Sequence, residues 1–185
     1  TTHMGFAVQN SDVIFIAVGT PSKQAGSIDL SQIEEASRQL GECLAKEKEY
    51  KVIVVKSTVL PETTETVVIP IVEKHSRKKS GKHFGVCMNP EFLREGTALD
   101  DFLNPDRVVI GQLDKKSGDA VETLYRKIRA PKMRTNLRTA EMIKYASNAV
   151  LATKISFINE IGNICKKIGI DAYDVAEGMG LDRRI

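Results

Sequence analysis

The chain has 185 residues, 42% hydrophobic and 28% charged, which at about 150 residues per domain is one domain, or one and part of a second. Thirteen glycines and six prolines exclude collagenous or low-complexity sequence, and the abundance of Ile, Val and Leu excludes intrinsic disorder. A net charge of +3 is too small to point to nucleic acid or a membrane surface, though it leaves room for small anionic molecules.

From the N-terminus, Asp12–Val18 is a continuous apolar run stopped by Gly19–Thr20–Pro21. Continuous rather than alternating hydrophobicity predicts a strand covered on both faces, as in a parallel sheet flanked by helices. Ser31-Gln-Ile-Glu34 resembles a capping box, and the helix it opens is predicted to run to about Glu49 with Ile33, Ala36, Leu40 and Leu44 along one face. Lys51–Ser57 reads as the next strand. Pro61 suits the first turn of a following helix, which Pro70 must kink or split. Phe84–Met88 and Arg107–Gly111 read as two further short strands, and Ser117–Ile128 as a helix. Strand alternating with helix makes the fold class α/β, with right-handed crossovers.

After Pro131 the pattern changes. From Thr139 to about Ile168 there is no proline, and a helix of that extent is about 45 Å long. Its apolar positions, among them Ala140, Ile143, Val150, Leu151, Ile155 and Ile158, fill more than one stripe, so burial on several sides is expected, with a second subunit as one way to supply it. Asp171 is placed to cap a short helix ending near Gly178 or Gly180. These features divide the chain into residues 1–130 and 131–185.

Gly19–Thr20–Pro21 and Ser57–Thr58–Val59 end two strands with hydroxyl-bearing turns. In open parallel sheets ligands sit beyond the carboxyl ends of the strands, so the pair suits a nucleotide, although either alone is an ordinary turn. Asn89–Gly96 is the most informative stretch. Glu91 and Glu95 stand four residues apart past a strand end, and on a helical turn they would share a face, one as base and the other holding a ligand. Arg94 beside them offers the plainer alternative of a surface salt-bridge turn. Glu141, Lys144 and Asn148 fall on one face of the long helix. A buried ammonium costs several kcal/mol unless paired, so Lys144 with Asn148 reads as a polar cavity, against the alternative of a lysine extending to solvent.

His75–His83 is a basic run best read as a solvated loop complementing a helix C-terminus. His3, His75 and His83 lack metal-ligand spacing. Cys43, Cys87 and Cys165 are odd in number and form no CxxC pair, which suits reduced thiols in a cytoplasmic protein. Nothing in the sequence activates Cys87 as a nucleophile. No apolar run reaches the roughly 18 residues of a membrane span, and no basic-then-apolar leader is visible.

DVIFIAVGTP, VIVVKSTV, NPEFLREGTALDDFLNPDRVVIG, TAEMIKYASNAVLATKISFINEIGNI and the tail GLDRRI together resemble the UDP-glucose/GDP-mannose family of nucleotide-sugar dehydrogenases. NPEFLREG followed by NPDRVVIG is more similar to the branch acting on UDP-glucose than to the N-acetylmannosamine branch, with the GDP-mannose enzymes left open. The resemblance implies the later half of a Rossmann-like NAD domain followed by a central helical domain. It also implies oxidation of a sugar C6 alcohol to a carboxylate with two NAD, through a thioester on an enzyme cysteine. Residue by residue it implies that Thr20, Ser57, Thr58 and Glu95 contact NAD and that Glu91 is the acid/base carboxylate. Lys144 would bind substrate and steady the developing oxyanion with Asn148 beside it, and Phe92 and Leu93 would line the sugar-nucleotide site. Members dimerise through the helical region, and Arg184 matches an arginine reaching the neighbouring subunit's substrate.

No GxGxxG is present, the one Gly-x-Gly being Gly178-Met-Gly180, so the pyrophosphate-binding turn is missing. None of the three cysteines matches the family's nucleophile. The expectation is therefore an internal piece of such an enzyme, inactive by itself. The rival is a non-catalytic nucleotide-sugar-binding or oligomerising module.

Overall fold

A computed structural model describes residues 1–185. Two compact units divide it, residues 1–145 and 146–185.

The first unit is built on a five-stranded sheet in sequence order, comprising β1 (Val13–Ile16), β2 (Lys51–Val55), β3 (Phe84–Met88), β4 (Val108–Gln112) and β5 (Lys132–Thr135). β1, β2 and β3 are mutually parallel, as are β4 and β5. The β3–β4 pair is antiparallel, Cys87 opposing Gln112 and Met88 opposing Gly111, so the expected parallel sheet is present with one antiparallel junction. Every residue of β2 and β3 is buried, as their unbroken apolar runs require. β1 is shorter than its apolar run and lies at the sheet edge, where Phe15 is exposed instead of covered. β5 escapes hydrophobic patterning because Lys-Met-Arg-Thr carries almost no apolar signal.

Alternate strand residues feed two cores, as a pleated sheet dictates. Ile53, Val55, Val86, Met88 and Val109 pack with α2 (Ser31–Leu44) and α3 (Ile69–Ser76) on one face, and Val52, Val54, Cys87 and Ile110 pack with α5 (Lys115–Leu124) on the other. Two short helices, α1 (Met4–Gln9) and α4 (Ala98–Leu103), carry no strong sequence pattern and complete the unit.

α2 stops five residues short of the predicted end, and no capping box forms at its start. Asp29 instead accepts from the Ser31 amide at 2.9 Å. Pro70 splits the next helical segment as predicted, with a π-helical turn at Thr64–Val68 before it and α3 after it. In the basic run Glu73 accepts from Lys79 and from Ser80 beyond the end of α3, a solvated capping loop. α5 is capped by a true box between Asp114 and Ser117.

α6 spans Leu137–Ile168, 32 residues or about 48 Å. Its first turns belong to the first unit, and Gly111 makes their approach possible. A Cβ there would lie 2.6 Å from the Ala140 Cβ and 2.9 Å from the Asn136 carbonyl oxygen. The second unit holds the rest of α6 and α7 (Ala172–Gly180), whose N-terminus Asp171 caps by accepting from the Tyr173 amide. Burial of α6 on several sides does not occur within this chain, since Val150, Leu151, Ile155 and Phe157 are exposed. No helix is long and apolar enough to cross a membrane.

Candidate active site

The parallel strands β1 and β2 end at the same edge of the sheet, the position at which open α/β sheets receive ligands. The Thr20 hydroxyl donates to the Thr58 carbonyl oxygen at 2.9 Å and so ties the two exit turns together. The Ser57 hydroxyl donates to the Val18 carbonyl at 2.6 Å, which makes it part of the scaffold between those turns. Thr58 points its hydroxyl to Glu91 Oε1, 3.4 Å away.

β3 ends next to them and delivers Asn89. Its backbone amide continues the ladder to the Val55 carbonyl at 2.9 Å, and its side-chain amide donates to the Val109 carbonyl at 2.7 Å. Pro90 disfavours helical geometry in the residue before it, and residues 89–94 are irregular rather than helical. Glu91 and Glu95 therefore do not share a helix face. Glu91 turns inward, where Oε2 accepts from the Leu93 amide at 2.7 Å, while Glu95 is exposed. Arg94 pairs with Asp101 at 2.6 Å, not with either glutamate.

The partner of Glu91 comes from α6. Lys144, only 5% exposed, places its ammonium 2.7 Å from Glu91 Oε1. It is neither a lysine extending to solvent nor an unpaired charge. One turn earlier Glu141, wholly buried, accepts from the Glu62 amide at 2.7 Å, the Thr64 amide at 2.8 Å and the Thr64 hydroxyl at 2.6 Å. Glu62 sits at φ 80°, an uncommon conformation for a side chain with a Cβ, and the bond from its amide helps hold it there. Glu141 thus anchors the start of α6 to the loop after β2, and Lys144 follows on the same helix face. Phe92 lies between two cations, with the Arg107 guanidinium 4.0 Å and the Lys144 ammonium 5.4 Å from its ring centre.

Burial opposes the charge on Glu91, but the Leu93 amide, the Lys144 ammonium and the more distant Lys56 outweigh it, so the carboxyl lies below its usual range. Glu141 goes the other way, because burial outweighs its hydrogen bonds from Thr64 and Glu62 and raises it. Lys56 is the strongest case. Burial, reinforced by Lys144 and opposed by Glu91, brings its ammonium down to about 8.

The structure brings Thr20, Ser57, Thr58, Glu91, Phe92 and Lys144 together in one unit. Leu93 contributes its amide to Glu91 and leaves its side chain exposed. Asn148 and Arg184 belong to the second unit, where Asn148 is exposed and Arg184 pairs with Asp182 at 2.6 Å. Sequence reasoning missed Lys56, Arg107 and Tyr125, which line the same cleft as Glu91 and Phe92. The available signal was a lysine directly after four buried apolar residues.

A sheet sandwiched by helices, with its polar groups gathered past the strand ends, is the architecture of a Rossmann-type dehydrogenase. Residues 1–129 match the NAD binding domain of the UDP-glucose/GDP-mannose dehydrogenase family, and residues 138–185 match that family's central domain. The chain belongs to the UDP-glucose/GDP-mannose dehydrogenase family, whose cofactor is NAD. It is 48% identical over its whole length to the GDP-mannose 6-dehydrogenase of Pseudomonas aeruginosa, covering 42% of that protein. It is 49% identical over its whole length to the UDP-glucose 6-dehydrogenase TuaD of Bacillus subtilis, covering 39%. The crystal structure of a ternary complex of the P. aeruginosa GDP-mannose dehydrogenase superposes with a TM-score of 0.97 over all of this chain and 42% of that one. The chain thus spans about two fifths of the length of these relatives.

Proposed function

We propose that this chain is part of a nucleotide-sugar 6-dehydrogenase that oxidises the C6 alcohol of UDP-glucose to the carboxylate of UDP-glucuronate with two NAD. The observation that carries the reading is the Lys144–Glu91 pair at 2.7 Å, with the Thr58 hydroxyl at its edge, past the ends of parallel strands. A buried ion pair contributes little to stability compared with apolar residues of the same volume. It does supply a proton acceptor and an oxyanion partner side by side.

The strand ends fit NAD. A Cβ on Gly19 would meet nothing closer than the Gln32 amide at 3.6 Å, so a ligand has room to approach the backbone beside Thr20. Thr20, Ser57, Thr58 and Glu95 are the residues that would hold it, and it would supply the hydride-accepting chemistry for the two oxidations at C6. Lys144 donates to the C6 oxygen and offsets the negative charge that grows there, a contribution of about 3–4 kcal/mol for a fixed donor. Glu91, kept ionised by its surroundings, takes the hydroxyl proton in the first oxidation and passes it to solvent. It then takes a proton from the water that hydrolyses the thioester, formed on a cysteine outside this chain, that the resemblance implies. Phe92 and Leu93 flank the sugar, and for Asn148 and Arg184 a role in substrate binding rests on the family resemblance alone.

The exposed apolar stretch of α6 supports assembly as a homodimer in which a second copy covers it, with Arg184 serving the partner's site. Three unpaired cysteines suit a cytoplasmic setting. GDP-mannose is the second reading of the substrate, supported by the TM-score of 0.97 with the P. aeruginosa GDP-mannose dehydrogenase.

The natural polypeptide containing this chain, given NAD and either sugar nucleotide, tests the reading by NADH absorbance. Two NADH per UDP-glucose is the expected result. Turnover with GDP-mannose alone selects the second reading, and no NADH from either sinks both.

A further inference from the structure

Lys56 follows β2 directly and has no part in the chemistry described so far. Its ammonium donates to Asn89 Oδ1 at 3.0 Å and lies 3.4 Å from the Tyr125 hydroxyl, both neutral groups. The Tyr125 hydroxyl donates to the same Oδ1 at 2.5 Å, while the Asn89 Nδ2 donates to the Val109 carbonyl at 2.7 Å. The amide of Asn89 is therefore oriented at both ends, with two donors on its oxygen and a carbonyl on its nitrogen.

Asn89 and Glu91 are separated by one residue, and that residue is Pro90, whose ring fixes φ. An anchored Asn89 consequently sets where Glu91 leaves the strand end. Lys56 also acts through space. The charged and titratable groups lining its cleft are Glu91 from the turn after β3, Asp101 from α4, Arg107 at the entry to β4 and Tyr125 at the end of α5. Lys144 approaches from α6, and together with Lys56 it favours the ionised form of Glu91.

We propose that Lys56 is a positioning residue of this site, which pins the Asn89–Pro90–Glu91 turn through Asn89 and supplies a second positive charge that keeps Glu91 ionised. A lysine that served only to fill space or bridge strands would gain from a carboxylate partner. Lys56 instead holds its charge at neutral oxygens and directs its field at Glu91. Burial brings its ammonium down to about 8, so its charge fades in mildly alkaline solution, where Glu91 is ionised in any case; the coupling shows on the acid side. The inference rests on the reading that Glu91 is the working carboxylate.

The test uses the natural polypeptide with Lys56→Met, Lys56→Gln and Lys56→Arg. Glutamate labelled with 13C at the side-chain carboxyl reports the titration of Glu91, its resonance identified by Glu91→Gln. Both neutral variants should move the Glu91 titration to higher pH and Lys56→Arg should leave it in place. In steady-state kinetics the acid limb of kcat/KM should move to higher pH together with the Glu91 titration in both neutral variants. Lys56→Gln keeps a donor for Asn89, so it separates the charge from the hydrogen bond if Lys56→Met folds poorly. An unmoved Glu91 resonance in the neutral variants overturns the proposal, whatever the enzyme oxidises. So does a shifted resonance with an unshifted acid limb. A wild-type protein inactive on every nucleotide sugar, but with the NMR shift present, removes the dehydrogenase reading and leaves the charge coupling standing.

Discussion

In the first unit the groups most expensive to bury are buried, and in the second the groups most expensive to expose are exposed. Lys51, Glu141 and Lys144 have 1%, 0% and 5% exposure, each held by specific oxygen or nitrogen partners. Along α6 and beyond it, Leu151, Ile155, Tyr173 and Leu181 stand 60%, 62%, 85% and 82% exposed. Residues 1–145 close on a core of their own and hold polar groups inside it, Lys144 in the candidate site and Glu141 as an anchor beside it. Residues 146–185 present a surface whose apolar content is satisfied only by another surface.

The sharpest way to break this contrast is to remove a buried anchor. Glu141→Ala leaves the Glu62 and Thr64 amides and the Thr64 hydroxyl without their acceptor, and should lower the stability of the first unit by about 3 kcal/mol. Urea denaturation followed by far-ultraviolet circular dichroism measures it. A loss under about 0.5 kcal/mol, the level of an ordinary surface substitution, would mean that burial of Glu141 holds nothing in place.

Lys144→Ala comes next. In the natural polypeptide it should reduce kcat at least ~100-fold, since it removes charge stabilisation in the transition state as well as binding. If kcat holds and KM alone rises, Lys144 is a plain binding residue. Native kinetics would return it to a structural role.

The titrations of Glu91 and Lys56 give a smaller effect. Glu91 is depressed in the folded chain, so its contribution is present above the unfolded carboxyl range and is lost as pH falls through its folded value. Glu91→Gln should flatten the acid side of a stability–pH curve. Lys56 is also depressed, to about 8 from the ordinary 10.5, and for an amine the sign reverses. The unfolded chain then holds more protons between those values, so stability rises with pH across that window. Lys56→Met should abolish the rise and stabilise the chain near neutrality, by at most about 3 kcal/mol. A stabilised but impaired variant is the signature of a charge kept for function rather than for folding. A destabilised one points to structure.

Much of this was legible in the residues themselves. β2 and β3 were readable because burial on both faces demands an unbroken apolar run. β5 was not, because its residues are held by ladder hydrogen bonds to β4 and carry little apolar signal. The antiparallel turn of β4 was equally hidden, since strand direction depends on how a connection returns and not on the strand's own composition. Glu91 and Lys144 were each suspicious alone, yet their pairing is a tertiary fact. The helical reading of Glu91 with Glu95 failed because Pro90 and the Leu93 amide favour a local turn that sends the two carboxylates apart. Lys56 was overlooked because a lysine at a strand end usually marks the return to solvent.

The smallest stability effect is expected where the apolar content is most conspicuous. Leu151→Ser with Ile155→Ser removes two side chains that are largely exposed within this chain. The stability of the first unit should then change by no more than about 0.5 kcal/mol, as for other surface substitutions. Assembly should respond far more strongly. If a second copy covers this face, sedimentation of the natural polypeptide should move from dimer to monomer, and activity should fall with it, because Arg184 then has no partner site to complete. Mixing Lys144→Ala with Arg184→Ala subunits separates the two roles. Each homodimer has both sites damaged, whereas a mixed dimer with Arg184 acting across the interface has one site intact and should recover part of the activity. A monomeric wild type sinks the dimer and the shared site together. A dimer that survives both serines shows that the pairing surface lies elsewhere, and the contrast between the two units would then reflect cover supplied by the rest of the polypeptide.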